Sequence, residues 1–110
     1  MTESVIPILR VGSAADAVRW YQRLGFQQEW EHRFEPELPA FVSIARGDMR
    51  LYLSEHTGDA RPDTLIYLWV EDIQSLSKEF AAAITEQSWA SEIALRDPDG
   101  NRLRIGQRKP

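Results

Sequence analysis

The last third of the chain alternates between apolar and polar positions. Ile93 and Leu95 share one face of a short run, and Leu103 and Ile105 share one face of another. Between them lies Asp97-Pro98-Asp99-Gly100-Asn101, in which Asp97 caps a type I turn, Pro98 pre-sets φ and Gly100 supplies a positive φ. A hairpin is predicted, with Glu92, Ala94, Arg96, Arg102, Arg104 and Gly106 on its free face. Phe26 to Glu35 alternates too, with Trp30, His32 and Phe34 on one side and Glu29, Glu31, Arg33 and Glu35 on the other. Ala40 to Ala45, Arg50 to Ser54 and Thr64 to Val70 read as three further strands. Ile66, Leu68 and Val70 should face a helix, which leaves Leu65, Tyr67 and Trp69 on the open side.

Two segments carry helical periodicity instead. Ser13 caps the first, with Asp16 three residues on, and Ala14, Ala17, Val18, Tyr21 and Leu24 form its stripe before Gly25 stops it. Asp72 caps the second, whose stripe is Ile73, Leu76, Phe80 and Ala83 or Ile84. Ahead of the first helix, Ser4 to Val11 reads as a strand, placed at an edge or junction because Pro7 cannot donate to a ladder. An offset of 59 residues superposes the two units, pairing Leu9 with Leu68, Val11 with Val70, Ala14 with Ile73, Ala17 with Leu76 and Tyr21 with Phe80. A duplicated strand-helix unit is therefore expected, each copy unable to cover its own sheet alone.

Composition narrows the function. At 110 residues the chain fits one domain. It has no cysteine, hence no disulfide, thiolate nucleophile or sulfur metal site. A net charge of −4 argues against nucleic acid and mildly favours cationic partners. The N-terminal residues lack a signal-peptide pattern and no run is long enough to span a membrane, so a cytoplasmic protein is expected. Four Trp, three Tyr and four Phe are generous for this length and raise the prospect that some rings line a cavity rather than fill a core.

The duplicated unit, Trp20-Tyr-Gln-Arg-Leu-Gly-Phe26 closing the first helix, and Asp97-Pro-Asp-Gly-Asn101 before the last strand resemble the vicinal oxygen chelate superfamily, which includes glyoxalase, extradiol dioxygenases and bleomycin-resistance proteins. Thr64 to Val70, Glu86-Gln-Ser-Trp89 and Glu92 to Pro98 are most similar to the bleomycin-binding branch. The resemblance implies an α+β fold of two βαβββ modules, each a curved half-barrel sheet. Module one spans about 4–56, a linker 57–63 and module two about 64–107. The segment from Ile84 to Ser91 is much shorter than the corresponding helix-to-strand region of these relatives, so the second module should be shortened there, its sixth strand cut down or absent. Relatives of this kind are two-fold dimers with an exchanged N-terminal strand, so a homodimer is expected.

In metal-dependent relatives four strands each supply a ligand. Carried over by motif register, those positions are Ile6, Tyr52, Leu65 and Arg104, none a usual ligand for Zn²⁺, Mn²⁺ or Fe²⁺. The sequence contains neither a Gly-rich phosphate loop nor a nucleophile elbow. The resemblance instead implies ligand binding at Glu29, Trp30, Phe34, Ser54, Asp63, Tyr67, Trp69 and Trp89, with Arg104 in place of a metal ligand. The expected function is non-catalytic sequestration of an aromatic, cationic small molecule such as a bleomycin-type antibiotic, without a metal or other cofactor. A metal-dependent lyase, dioxygenase or thiol transferase is the alternative. A third reading is a small interaction module whose rings fill its own grooves.

Overall fold

The computed structural model describes residues 3–110. Ten elements follow in order: β1 (Ile8–Arg10), α1 (Ala14–Arg23), β2 (Gln27–His32), β3 (Phe41–Arg46), β4 (Met49–Ser54), β5 (Leu65–Trp69), α2 (Ile73–Phe80), β6 (Thr85–Glu86), β7 (Ala90–Arg96) and β8 (Arg102–Arg108). They build two four-stranded sheets of like topology, β1-β4-β3-β2 and β5-β8-β7-β6. In each, the first strand pairs parallel with the last, and the remaining pairs are antiparallel. This is the duplicated βαβββ arrangement that the 59-residue repeat implies.

Both helices begin where the sequence places their caps. Ser13 Oγ accepts from Asp16 N at 3.2 Å, and Asp72 Oδ1 accepts from Ser75 N at the same distance. The second helix ends sooner than its stripe suggests. Ala81 adopts φ 50°, a left-handed stop, so Ala83 and Ile84 lie beyond it. The chain then needs only two residues of β6 before turning into β7, the shortening expected for module two. The first strand is shorter than the sequence suggests, because Ser4 to Pro7 pair in no ladder and β1 starts only after the proline; its edge position is as expected. In this single chain β1 pairs with the chain's own β4, through Ile8 opposite Tyr52.

The buried faces of both sheets meet the helices in one apolar core. Leu9, Val11, Val42, Ile44, Leu51 and Leu53 supply it from the first sheet; Leu68, Val70, Ile93, Leu103 and Ile105 supply it from the second. The Asp97–Asn101 turn locks the halves together. Asp97 is 5% exposed and accepts from Tyr21 Oη at 2.8 Å, Asn101 Nδ2 at 3.0 Å, Asp99 N at 2.8 Å and Asn101 N at 2.9 Å. Asn101 Nδ2 also donates to Arg10 O at 2.9 Å, and Asp99 Oδ1 accepts from Gly12 N at 2.8 Å. Burial, then the nearby Asp97 carboxylate, pushes the Tyr21 phenol far up, so it remains a donor. Across the helices Trp20 packs on Phe80 at 5.3 Å.

Candidate functional site

The sheet faces turned away from the helices carry the candidate residues. On the first sheet, register places Ile8, Tyr52, Ser43 and Trp30 in one row across the strands, and Arg10, Ser54, Phe41 and His32 in the next. Trp30 stacks on Phe41 at 6.1 Å and 16°, and it meets Tyr52 at 5.4 Å. Phe34 lies beyond the end of β2, 78% exposed, edge-on to His32 at 4.8 Å.

Glu29 departs from the alternation. The register shifts between Gln28 and Trp30, a β-bulge that brings Glu29 to the same face as Trp30 instead of the opposite one. There Glu29 accepts from Ser43 Oγ at 2.8 Å and from Arg50 Nε and Nη2 at 3.0 Å each. The Arg50 guanidinium, and then the Ser43 hydroxyl, hold its carboxyl below the usual range.

The open face of the second sheet has Tyr67, Arg104 and Ala94 in one row and Trp69, Gly106 and Glu92 in the next. Tyr67 and Trp69 touch at 4.9 Å. Gly106 makes this possible. A Cβ there would stand 2.2 Å from Tyr67 Oη and 3.2 Å from Trp69 Cζ3, so only a bare backbone lets both rings lean across β8. Tyr67 Oη donates to Glu92 Oε2 at 2.5 Å, and Arg104 Nη2 donates to Glu92 Oε1 at 2.8 Å. Glu92 is 5% exposed; the Tyr67 hydroxyl, then Arg104, hold its carboxyl below the ordinary value. Burial, then Glu92, pushes the Tyr67 phenol up. Arg104 lies over the Tyr67 ring at 5.6 Å, and Arg108 over Trp69 at 4.1 Å.

A concavity of about 510 Å³ opens on this second face, lined by Leu65, Ala94, Arg96, Arg102 and Arg104 among others. Asp63 borders it at φ 70°, with Oδ1 2.7 Å from Arg102 Nε and 3.8 Å from Arg96 Nη1. Trp89, 53% exposed, precedes β7, and its side chain influences the Tyr67 hydroxyl.

The structure thus gathers the sequence-predicted residues into two groups. Glu29 and Trp30 share the first face, with Phe34 at the end of its β2 edge; Tyr67, Trp69 and Arg104 share the second, with Trp89 beside the Tyr67 hydroxyl at its edge. Ser54 belongs to the first face but is fully buried, donating to Asp59 Oδ2 at 2.6 Å. Asp63 sits at the rim of the second face. The sequence reading did not single out Phe41, Ser43, Arg50 and Arg108 for the site. Alternation extended through Ala40–Ala45 and Arg50–Ser54 places Phe41, Ser43 and Tyr52 beside Trp30, so that signal was present.

The residues do not fit a divalent ion. The four positions that the resemblance relates to metal ligands carry two aliphatic side chains, a phenol and a guanidinium already paired with Glu92. Among the described residues no group of three His, Cys, Asp or Glu side chains is placed to hold one. Nor is any described helix long and apolar enough to cross a membrane.

Comparison with known proteins follows the same lines. A family model described as Glyoxalase superfamily protein matches residues 1–110. A search of curated protein sequences gives no significant match. Among solved structures, a bleomycin-binding protein complexed with bleomycin is similar at TM-score 0.73 and 22% identity, over 98% of this chain and 100% of that one. TnmS3, an antibiotic binding protein from Streptomyces sp. CB03234, is similar at TM-score 0.71 and 18% identity, over 99% of each chain. A glyoxalase-related enzyme from Clostridium phytofermentans is similar at TM-score 0.79 and 16% identity, over 99% of this chain and 97% of that one.

Proposed function

The chain belongs to the glyoxalase superfamily, and on that footing we propose that it binds and sequesters a flat aromatic small molecule without chemically altering it, as a bleomycin-type resistance protein does. The observation that carries the reading is the pair of open sheet faces, each with a cluster of rings beside fixed charges. Trp30, Phe41 and Tyr52 form one cluster, and Tyr67 and Trp69 the other, with Trp89 beside the Tyr67 hydroxyl. Rings left open in this way offer stacking surface for a planar ligand, worth about 0.5–1.5 kcal/mol per pair beyond area burial. The likeness to a bleomycin-binding protein and to an antibiotic-binding protein agrees with this. A cationic tail, the preference expected from the net charge, is assigned to Glu29, whose carboxylate the bulge brings beside Trp30, where it would replace the half-exposed Arg50 as counter-ion. The donor set described above gives a catalytic ion no purchase.

A two-fold homodimer is part of the proposal. Val5, Ile8, Trp30 and Tyr67 are exposed in the single chain, and β1 is a three-residue edge strand suited to exchange. Light scattering on purified protein should give twice the chain mass.

Thermal unfolding tests the function. Metal-free bleomycin should raise the melting temperature in a saturable way, because a ligand of the folded form stabilises it. Mn²⁺ and Zn²⁺ should leave the melting temperature unchanged. A preparation stabilised by those ions and sensitive to chelator would overturn the proposal in favour of a metal-dependent enzyme.

A further inference from the structure

The 510 Å³ concavity of the second sheet is basic. Arg96, Arg102 and Arg104 line it, and among the described residues lining it none is a carboxylate. Their counter-ions stand outside. Arg104 is matched by Glu92. Arg96 and Arg102 have one carboxylate between them, that of Asp63, which is largely exposed. Two guanidiniums sharing one carboxylate leave an excess positive charge at the mouth of the cavity. The other carboxylates of the adjoining turn are committed elsewhere, Asp97 to Tyr21 and Asn101, and Asp99 to Gly12 N.

The Asp63 contact is also imperfect. Arg102 Nε is buried and, although Asp63 Oδ1 stands 2.7 Å away, their alignment makes no hydrogen bond. Among the described residues it is the buried side-chain nitrogen or oxygen left without one. Asp63 reaches this position at φ 70°, a left-handed backbone that Asp and Asn tolerate better than other non-glycine residues. An exposed, badly aligned carboxylate beside a guanidinium fork is readily displaced by a better one, since Arg binds a free carboxylate or phosphate through two parallel N–H donors. Leu65 supplies the apolar wall, and Arg104 carries the lining up to the Tyr67 ring at 5.6 Å.

We infer that this concavity is a subsite for an acidic group, a carboxylate or phosphate, borne by an aromatic ligand, and that Asp63 is its built-in, displaceable counter-ion. The inference rests on the proposed function for the aromatic part of the ligand, but its charge assignment is separate. A ligand bridging both sheets would carry its acidic end toward Arg96 and Arg102 and any basic end toward Glu29.

Isothermal titration at low salt with 2-naphthoate, 2-naphthamide and 2-naphthylmethylammonium tests it. These probes share one ring system and differ in charge. Naphthoate should bind about tenfold more tightly than naphthamide, the gain of a charge-assisted hydrogen bond pair, and Arg102→Gln should not weaken the ammonium, whose charge belongs at Glu29. Arg102→Gln should bring naphthoate to the level of naphthamide and leave naphthamide unchanged. Asp63→Asn keeps a residue that tolerates a left-handed backbone and frees both arginines. It should tighten naphthoate severalfold, a gain that a misfolded variant cannot produce. Equal affinities for naphthoate and naphthamide, or an ammonium weakened by Arg102→Gln, would overturn the assignment. Saturable bleomycin binding with no response to naphthoate would also overturn it while leaving the proposed function standing. Selective naphthoate binding without bleomycin binding would uphold the acidic subsite and remove bleomycin as the ligand.

Discussion

The two halves of the molecule agree on their buried faces and diverge on their open ones. Leu9 opposite Leu53 in the first sheet corresponds to Leu68 opposite Ile105 in the second, all of them buried. On the open side the row Ile8–Tyr52–Ser43 corresponds to Tyr67–Arg104–Ala94, and Arg10–Ser54–Phe41 to Trp69–Gly106–Glu92. One half therefore presents rings beside Arg10 and the Glu29–Arg50 pair. The other presents rings beside four arginines on β7 and β8: Arg96, Arg102, Arg104 and Arg108. The outer strands differ as well, six residues in β2 against two in β6. Packing constrains the face against the helix, where a lost methylene opens a cavity, whereas the open face is free to acquire chemistry. The repeat therefore records the fold, and the departures from it mark the candidate site.

The comparison breaks most severely if the halves come apart. Asp97→Ala removes the acceptor shared by Tyr21, Asn101 and two backbone N–H groups, leaving buried donors unpaired. A loss of about 3 kcal/mol or more is expected in denaturant unfolding. Tyr21→Phe removes one of those bonds and should cost about 1 kcal/mol.

Gly106→Ala sharpens the contrast between the open faces. The new Cβ collides with Tyr67 and displaces its ring from Glu92, so a loss of about 1–3 kcal/mol is expected. Ligand affinity should fall with it. Ser54→Ala, at the matching position of the first sheet, removes only the bonds to Asp59 and His56 N and should cost less.

Acid should weaken the first half through Glu55. Its carboxylate accepts from Ala14 N at 2.7 Å and Ala40 N at 2.9 Å, tying the start of α1 to the start of β3. Burial raises its pKa, but the Ala14 and Ala40 donors, with Arg33 and Arg10, outweigh that and leave it lowered. A carboxyl lowered by folding contributes stability above its unfolded value, about 4.3. That contribution is lost as pH falls through the lower folded value. Glu55→Gln should therefore reduce stability at neutral pH and flatten the acid limb of a stability–pH curve below about pH 4. The smallest effect is expected for Tyr67→Phe, about 0.5–1 kcal/mol because the pair is partly solvated. Its signature is a smaller acid dependence, since Glu92 loses the donor that contributes most to holding its pKa down.

The fold was legible where one periodicity dominated. Both N-caps, the edge position of the strand after Pro7 and the hairpin around Gly100 follow from local chemistry, and the cut-down β6 from the shortness of the 84–91 segment beside the family it resembles. The face of Glu29 was not legible, because a bulge depends on how β2 meets β3 and leaves the sequence alternation intact. The early stop of α2 at Ala81 was hidden too, since a left-handed alanine carries none of the signal a glycine would. The Asp97–Asn101 turn could be read as a turn, but its role as the bolt between halves depends on Tyr21, a residue 76 positions away. At the site, the aromatic positions came from alternation and resemblance. The pairing of each acidic candidate with an arginine came only from the folded chain.

The central claim is that the open faces form a receptor for a flat aromatic ligand. Tryptophan fluorescence during titration with metal-free bleomycin tests it most directly, because Trp30, Trp69 and Trp89 all lie on or beside those faces. The account predicts saturable quenching, weakened when Trp69 is replaced by leucine. Quenching that stays linear to millimolar drug, and that the Trp69→Leu variant shares unchanged, would contradict it.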